Sequence, residues 1–152
     1  MVPKAEMDKH FSDASLPALG AETNVHKFRI VYWTERDAGK PVLTSGSFYI
    51  PELRVANPSP LLSIGHGSVG VGDKCAPSRE DAEGFNLDWK RLAYQFVSHG
   101  WVSILPDYPG LGTPGPTAWD YSVDEGHSLL DATRAARKLT KAGFLSTKNA
   151  IL

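Results

Sequence analysis

Pro60-Leu61-Leu62-Ser63-Ile64-Gly65-His66-Gly67-Ser68-Val69-Gly70 opens on a short, nearly continuous apolar run and closes on a glycine-rich loop. Trp101-Val102-Ser103-Ile104-Leu105-Pro106-Asp107-Tyr108-Pro109-Gly110 repeats the same order further along. A strand with one wet face alternates apolar and polar residues, whereas a strand covered on both faces reads as an unbroken apolar run. The two stretches therefore predict central strands of a parallel sheet, each delivering the chain into a glycine-rich loop.

The flanking sequence fits that reading. Between the two strands, Leu87 to His99 sets Trp89, Leu92, Ala93, Phe96 and Val97 at helical spacing, with Gly100 expected at the C′ position. Beyond the second loop, which runs from Asp107 to Asp120, Ser122-Val123-Asp124-Glu125 reads as a capping box. Leu129, Leu130, Ala132, Ala135, Ala136 and Leu139 then supply an apolar stripe. Lys138 and Lys141 suit the last turn of that helix and Gly143 its end. Asn149-Ala150-Ile151-Leu152 looks like a strand beginning. Upstream, Val25–Thr34 and Val42–Ile50 are rich in β-branched and aromatic residues, joined by the turn Asp37-Ala38-Gly39-Lys40-Pro41 and closed by Pro51. The expected fold class is α/β, an antiparallel hairpin leading into a parallel β-α-β-α-β sheet, and that sheet is expected to be incomplete.

Composition narrows the function classes. The chain has 152 residues, 41% hydrophobic and 22% charged, with a formal net charge of −1. That balance, with no long basic run, gives no electrostatic case for nucleic acid or an anionic membrane surface. No apolar run approaches the ~18 residues of a spanning helix, so no stable membrane insertion is expected. Residues 1–24 read as a polar lead-in without the apolar core of a signal peptide, and 25–152 as the folded part. Cys75 is the single cysteine, which excludes an internal bridge and a cysteine-based zinc site.

Several motifs invite a function and fail on context. Gly65-His66-Gly67-Ser68-Val69-Gly70 and Gly110-Leu111-Gly112-Thr113-Pro114-Gly115 both match G-x-G-x-x-G. That fingerprint requires its third glycine to open a helix, and prolines and further glycines follow both matches. Gly126-His127-Ser128-Leu129-Leu130 has half of a G-x-S-x-G elbow but lacks the closing glycine and sits inside a predicted helix. Ser68 has His66 where the first glycine belongs. Asp124, His127 and Asp131 could share a helix face as metal ligands; a solvated face with an i,i+4 ion pair is the expected reading. His10, His26 and His99 lack partners at ligand spacing and read as surface or turn residues. What remains is His66-Gly67-Ser68. A sharp His-Gly turn after a buried strand suits backbone N–H groups aimed into a cleft to stabilise charge on oxygen, and it equally suits a tight turn with a structural histidine.

SIGHGSVGVGDKCAPS (63–78), LAYQFVSHGWVSILPDYPGLGTPGP (92–116) and LLDATRAARKL (129–139), in that order and spacing, resemble the α/β-hydrolase superfamily, and within it the secretory lipase family. The resemblance runs from about Val25 to Leu152 and implies a serine carboxylic-ester hydrolase acting through an acyl-enzyme on a small-molecule ester or lipid. It implies that the loop after the third strand supplies an oxyanion-hole N–H, here on Ser68, with His66 and Gly67 shaping the loop. Asp107 and Tyr108 are implied to line the cleft or brace its loop, and Cys75 to match a cysteine that is commonly disulfide-bonded in relatives. No cofactor and no metal are implied, and secretion is favoured. The family's nucleophile elbow follows its fifth strand, so G-x-S-x-G is expected within about six residues beyond Leu152, with the triad acid and histidine later still. The chain alone is accordingly expected to be inactive, and a complementary C-terminal segment or chain is the expected partner. The alternatives are a non-catalytic hydrolase-like module or a fragment that works only with that partner. Reading the parent sequence past Leu152 checks this: an ordinary loop without the serine elbow would sink the lipase reading.

Overall fold

The computed structural model describes residues 1–37, 39–80, 82–83, 88–118 and 121–151. The chain begins with helix α1 (Lys4–Asp13), followed by the hairpin strands β1 (Val25–Arg36) and β2 (Lys40–Pro51). Strand β3 (Ser59–Ser63), helix α2 (Lys90–Val97), strand β4 (Val102–Pro106), helix α3 (Ser122–Leu139) and strand β5 (Leu145–Ile151) complete it. Five strands form one sheet in the order β1-β2-β4-β3-β5. β1–β2 and β2–β4 are antiparallel, whereas β3 runs parallel to both β4 and β5. The expected α/β architecture, with an antiparallel hairpin feeding a parallel sheet, is the one observed.

The hairpin register explains its prolines. Pro41 lies opposite Glu35 and Pro51 opposite Val25. Val25 exchanges its N–H and C=O with Val2 on the outer side, so the Val25–Pro51 pair requires no donor from the proline. Alternate residues of the central strands supply two cores. Leu61, Val102 and Ile104 pack with Tyr32, Phe48, Ala132 and Ala136 beneath α3. Leu62 and Leu105 face the other way, toward Met7, Phe11, Tyr49, Ala93 and Val97 under α1 and α2. Both sides are covered, which is why these strands read as unbroken apolar runs.

Several local expectations are corrected. The lead-in carries α1, in which Met7 and Phe11, one turn apart, are the buried residues; two anchors in an otherwise polar segment leave almost no periodic signal. α2 is shorter than the predicted 87–99, and Leu87 lies outside the described residues. Its cap is Ser98, so Gly100 sits one residue beyond C′, with φ +88° and its C=O accepting from Val55 N–H at 3.1 Å. The capping box does not form: Tyr121 is the N-cap, Ser122 is already helical, and no side chain caps the end. Lys141 and Gly143 lie past the end of α3 at Leu139. The stripe of α3 is also displaced, for Leu130 and Leu139 are 44% and 61% exposed while Asp124, Ser128, Ala132, Thr133 and Ala136 are buried. α3 lies against bulky Tyr32 and Phe48, so small residues face the sheet. β5 starts at Leu145, ahead of the expected Asn149, and Leu152 lies outside the described residues.

Two glycines test this packing with opposite signs. A Cβ on Gly46 would stand 2.6 Å from Leu105 O and 3.0 Å from Pro106 Cα on the neighbouring strand β4. Gly126, in the interior of α3, has nothing within 4 Å of an added Cβ. Gly46→Ala should destabilise by about 1–3 kcal/mol through overpacking, and Gly126→Ala should stabilise by about 0.5–1 kcal/mol through helix propensity. Urea midpoints shifting in the same direction for both variants would contradict this packing.

Candidate active site

β3 and β4 lie side by side and parallel, and both end on the same edge of the sheet, where open α/β sheets place their ligands. The ladder is prolonged by Ile64 N–H donating to Ile104 O at 2.9 Å. Beyond it the two glycine-rich loops face each other. They are joined through one phenol: His66 N–H donates to Tyr108 Oη at 2.9 Å, and Tyr108 O–H donates back to His66 O at 3.2 Å. The two rings stack with centroids 4.3 Å apart. Tyr108 holds this position from a left-handed backbone, φ +73°, a conformation that costs a non-glycine residue about 1–3 kcal/mol and survives only when neighbours over-determine it.

His66 is inward-facing and buried. Its Nδ1 lies 2.7 Å from Gly67 O and its Nε2 3.3 Å from Asp107 O. A neutral imidazole carries one ring N–H, so it donates to one of these two carbonyls at a time. Burial holds the imidazole below its ordinary pKa, against the opposing pull of the Gly67 carbonyl.

Asp107 anchors the second loop from beneath. Its carboxylate is fully buried; Oδ1 accepts from Ser78 N–H at 2.8 Å, and Oδ2 accepts from Ser45 Oγ at 2.6 Å and from Ser78 Oγ. Burial pushes the carboxyl above the usual range, and the bonds from Ser45 and Ser78 pull it back. Arg29 on β1 stands one hydroxyl away: Nε donates to Ser78 Oγ at 2.9 Å, and Nη2 to Ser45 Oγ and Gly112 O, both at 3.2 Å. Arg36 holds the far end of the same loop through Pro116 O and through Thr117 O at 3.5 Å, and its Nε donates to buried Asp124 at 2.8 Å.

The loops enclose a cleft of about 90 Å³ lined by residues 66–70 together with Tyr108, Leu111, Thr117 and Glu125. That space accommodates a few waters or one small polar group. The structure thus brings His66, Gly67, Ser68 and Tyr108 to one cleft, whereas Asp107 braces the loop and does not line it. Sequence reasoning misses Ser45, Ser78 and Arg29, whose roles exist only through space, and misses Glu125, which a capping box would turn outward onto a helix end. Cys75 is a free thiol whose Sγ lies under Gly70, where an added Cβ would approach it to 2.5 Å.

The remaining candidates lie elsewhere. Asp124, His127 and Asp131 do not form a solvated face: Asp124 is buried on Arg36, His127 Nδ1 lies 3.2 Å from Glu35, and Asp131 accepts from Thr34 at 2.9 Å. Each reaches across to β1, because α3 lies flat on that strand, and the expected His127–Asp131 ion pair is replaced. Among the described residues no group of three or more potential ligands is placed to hold a metal. Ser128 is buried, with Tyr32 Oη 3.0 Å from both its Oγ and its carbonyl. His10 is half-buried rather than superficial, paired with Asp88 and edge-on to Tyr94. His26 and His99 stay near the surface beside Glu52 and Glu22.

Strand order and paired loops define the class: the chain carries the N-terminal portion of an α/β-hydrolase fold. It is similar to the rice cell wall degrading esterase LipA of Xanthomonas oryzae, at 27% identity and TM-score 0.73, over 99% of this chain and 38% of that one. Two further likenesses speak for the fold alone. A Legionella pneumophila protein matches at 21% identity and TM-score 0.81, over 99% of this chain and 40% of that one. Candida antarctica lipase A matches at 18% identity and TM-score 0.61, over 99% and 32%. The chain therefore spans about 38% of the length of the esterase it resembles. No protein-family model matches the sequence, and none of the curated proteins does.

A depressed His66 pKa fixes the sign of a pH effect. The unfolded chain takes up a proton near the ordinary histidine pKa of about 6.5, and the folded chain only at lower pH. The stability gained from holding the ring neutral is present above that value and is lost as pH falls toward the folded pKa. Asp107, with its raised pKa, acts in the opposite sense at lower pH. His66→Gln should therefore flatten the fall in urea midpoint between about pH 7 and pH 5. A variant losing stability as steeply as the wild type would place the titration elsewhere.

Proposed function

We propose that this chain provides the oxyanion-binding half of a serine carboxylic-ester hydrolase of the secretory lipase type. The observation that carries the reading is the His66–Gly67–Ser68 turn at the end of β3, locked by both hydrogen bonds to Tyr108 and bordering the cleft. A tetrahedral intermediate places negative charge on the former carbonyl oxygen, and donors held rigidly in advance stabilise it without reorganisation. Ser68 contributes its main-chain N–H, while His66 and Gly67 set the direction of the turn. Asp107 and Tyr108 hold the loop through the contacts described. The nucleophilic serine, the acid and the histidine of the triad belong to the part of such a hydrolase that this chain does not span. The serine attacks the ester carbonyl, and water later releases the acyl group. Groups of this kind act without a cofactor on a small ester or lipid, and the complement is a C-terminal segment or chain.

The test uses the hydrolase that contains this chain together with its C-terminal part, assayed on nitrophenyl acyl esters. Ser68→Ala keeps the main-chain donor and should retain activity within about tenfold. Ser68→Pro deletes that donor and should lower kcat by about 10²–10³, with melting temperature showing that the variant is folded. Equal loss in the two folded variants would assign the chemistry to the hydroxyl and overturn this reading.

A further inference from the structure

Tyr108 bonds the backbone of the His66-Gly67-Ser68 turn, and an indole packs against its middle residue. A Cβ on Gly67 would lie 3.3 Å from Trp89 Cζ2 and 3.6 Å from Cη2. The first of these is tighter than nearly all real Cβ contacts, so a side chain at Gly67 would displace the indole or the turn. The Trp89 and His66 rings are tilted, with centroids 6.2 Å apart. Trp89 also packs against two separate clusters. One is the core under α1 and α2 that includes Ile64; the other is the small group Val69, Ala76 and Leu111. Val69 and Leu111 line the cleft, one from each glycine-rich loop. The placement of Trp89 is itself fixed, because the preceding Asp88 is held by His10 on α1 and by Arg91 on α2, one carboxylate oxygen to each. Trp89 Nε1 is buried with no hydrogen-bond partner among the described residues, so the indole acts here through its ring.

We propose that Trp89 is a positioning residue for the ester hydrolysis: the benzo edge of its indole sets how far the Gly67 backbone stands from the core, and so where the Ser68 N–H points. The proposal rests on the oxyanion reading of the turn. Glycine is the residue with the widest backbone freedom, so the position of Gly67 has to be imposed by its neighbours. Tyr108 fixes the His66 end, through the His66 N–H and C=O. The next peptide unit, from Gly67 C=O to Ser68 N–H, begins at the residue that the indole meets. A flat, rigid ring at contact distance gives that residue a stop which a flexible side chain would not. An oxyanion donor works because it is held in advance, and a misplacement of about 1 Å costs on the order of 10²-fold in rate. Such a loss falls on the transition state and not on the bound substrate, so it is read in kcat at constant KM.

A double-mutant cycle tests this in the hydrolase that contains this chain together with its C-terminal part, on nitrophenyl acyl esters. Rates are taken per folded molecule, well below the lowest melting temperature, so that stability does not enter kcat. Gly67→Ala drives a methyl group into the indole and should lower kcat at least about tenfold, with KM within about twofold. Trp89→Phe withdraws Cζ2 and Cη2, which a phenyl ring does not reach, and should lower kcat about three- to tenfold. In the double variant the methyl occupies the space the benzo ring leaves, and kcat should exceed that of Gly67→Ala alone by at least about fivefold. If Gly67→Ala does not fold, Trp89→Phe and the shorter Trp89→Leu decide, with kcat falling in that order at constant KM. Additive losses, full activity in Trp89→Phe, or losses carried by KM would overturn the proposal. The Ser68 variants are read separately. Additive losses beside an intact contrast between Ser68→Ala and Ser68→Pro would sink the role of Trp89 alone. Rescue in the cycle with both Ser68 variants equally inactive would keep Trp89 as the positioning residue and move the chemistry to the Ser68 hydroxyl.

Discussion

Asp107 is a carboxylate removed from water that ties together three separate parts of the chain, two of them through donors to its oxygens. Ser45 belongs to β2 of the hairpin, Ser78 lies in the connection between β3 and α2, and Asp107 itself follows β4. An ionised group in that position is costly unless its oxygens are satisfied, and removing one partner of a buried polar cluster costs about 1–3 kcal/mol. The compensation is indirect. Arg29 delivers its positive charge to the two hydroxyls and leaves the carboxylate itself to short, oriented bonds. Because the partners are distant in sequence, this node requires hairpin, first loop and central strand to be in register together. Asp107 N–H donating to Ser45 O at 2.8 Å adds the backbone to the same node.

From that node the site is assembled by adjacency. Tyr108 follows Asp107 directly, so fixing the carboxylate fixes where the phenol starts, and its left-handed backbone turns the ring back over His66. One hydroxyl then donates to the His66 carbonyl and accepts from the His66 N–H, which leaves the turn little freedom to rotate. At the far end of the second loop, Arg36 bonds the carbonyls of Pro116 and Thr117 and binds Asp124 at the start of α3. β1 thus supplies an arginine to each end of the loop, Arg29 and Arg36. The edge strand of the sheet, far in order from β3, shapes the cleft through its side chains.

The central strands are legible in the sequence because burial on both faces leaves a plain signature, and the hairpin because its turn and Pro51 punctuate it. The His66-Gly67-Ser68 turn stands out in the sequence as a glycine step immediately after a buried strand, a pattern that equally suits a structural turn, and its bonds to Tyr108 come only with the fold. What escapes is set by contacts that no local pattern encodes. α1 buries only Met7 and Phe11, too few for a periodic signal. The leucines of α3 look like its buried face, yet Tyr32 and Phe48 already fill the space beneath it, and Ala132, Ala136 and Ser128 are what fit. Its first turn reads as a capping box because Ser122 and Glu125 have the right spacing. In the fold Asp124 is engaged by Arg36 instead, and Glu125 turns to the cleft.

The same competition explains why α3 carries polar residues on its buried side. Asp124, Ser128 and Asp131 each meet a polar group of β1: Arg36, the Tyr32 hydroxyl and Thr34. These contacts recur along the helix at i, i+4 and i+7, the spacing of one helical face, and they face residues two apart on the strand, the spacing of one strand face. Apolar packing would bind the helix to the sheet without choosing its axial position, because small aliphatic side chains replace one another at little cost. A ladder of specific hydrogen bonds admits one setting. Sliding α3 by a turn would bury Asp124 away from Arg36, and no repacking of alanines offsets an unpaired buried charge. Glu125 and Thr117 therefore reach the cleft at a fixed height relative to Ser68, and the buried polar face of α3 is the element that carries the register of the sheet into the geometry of the site.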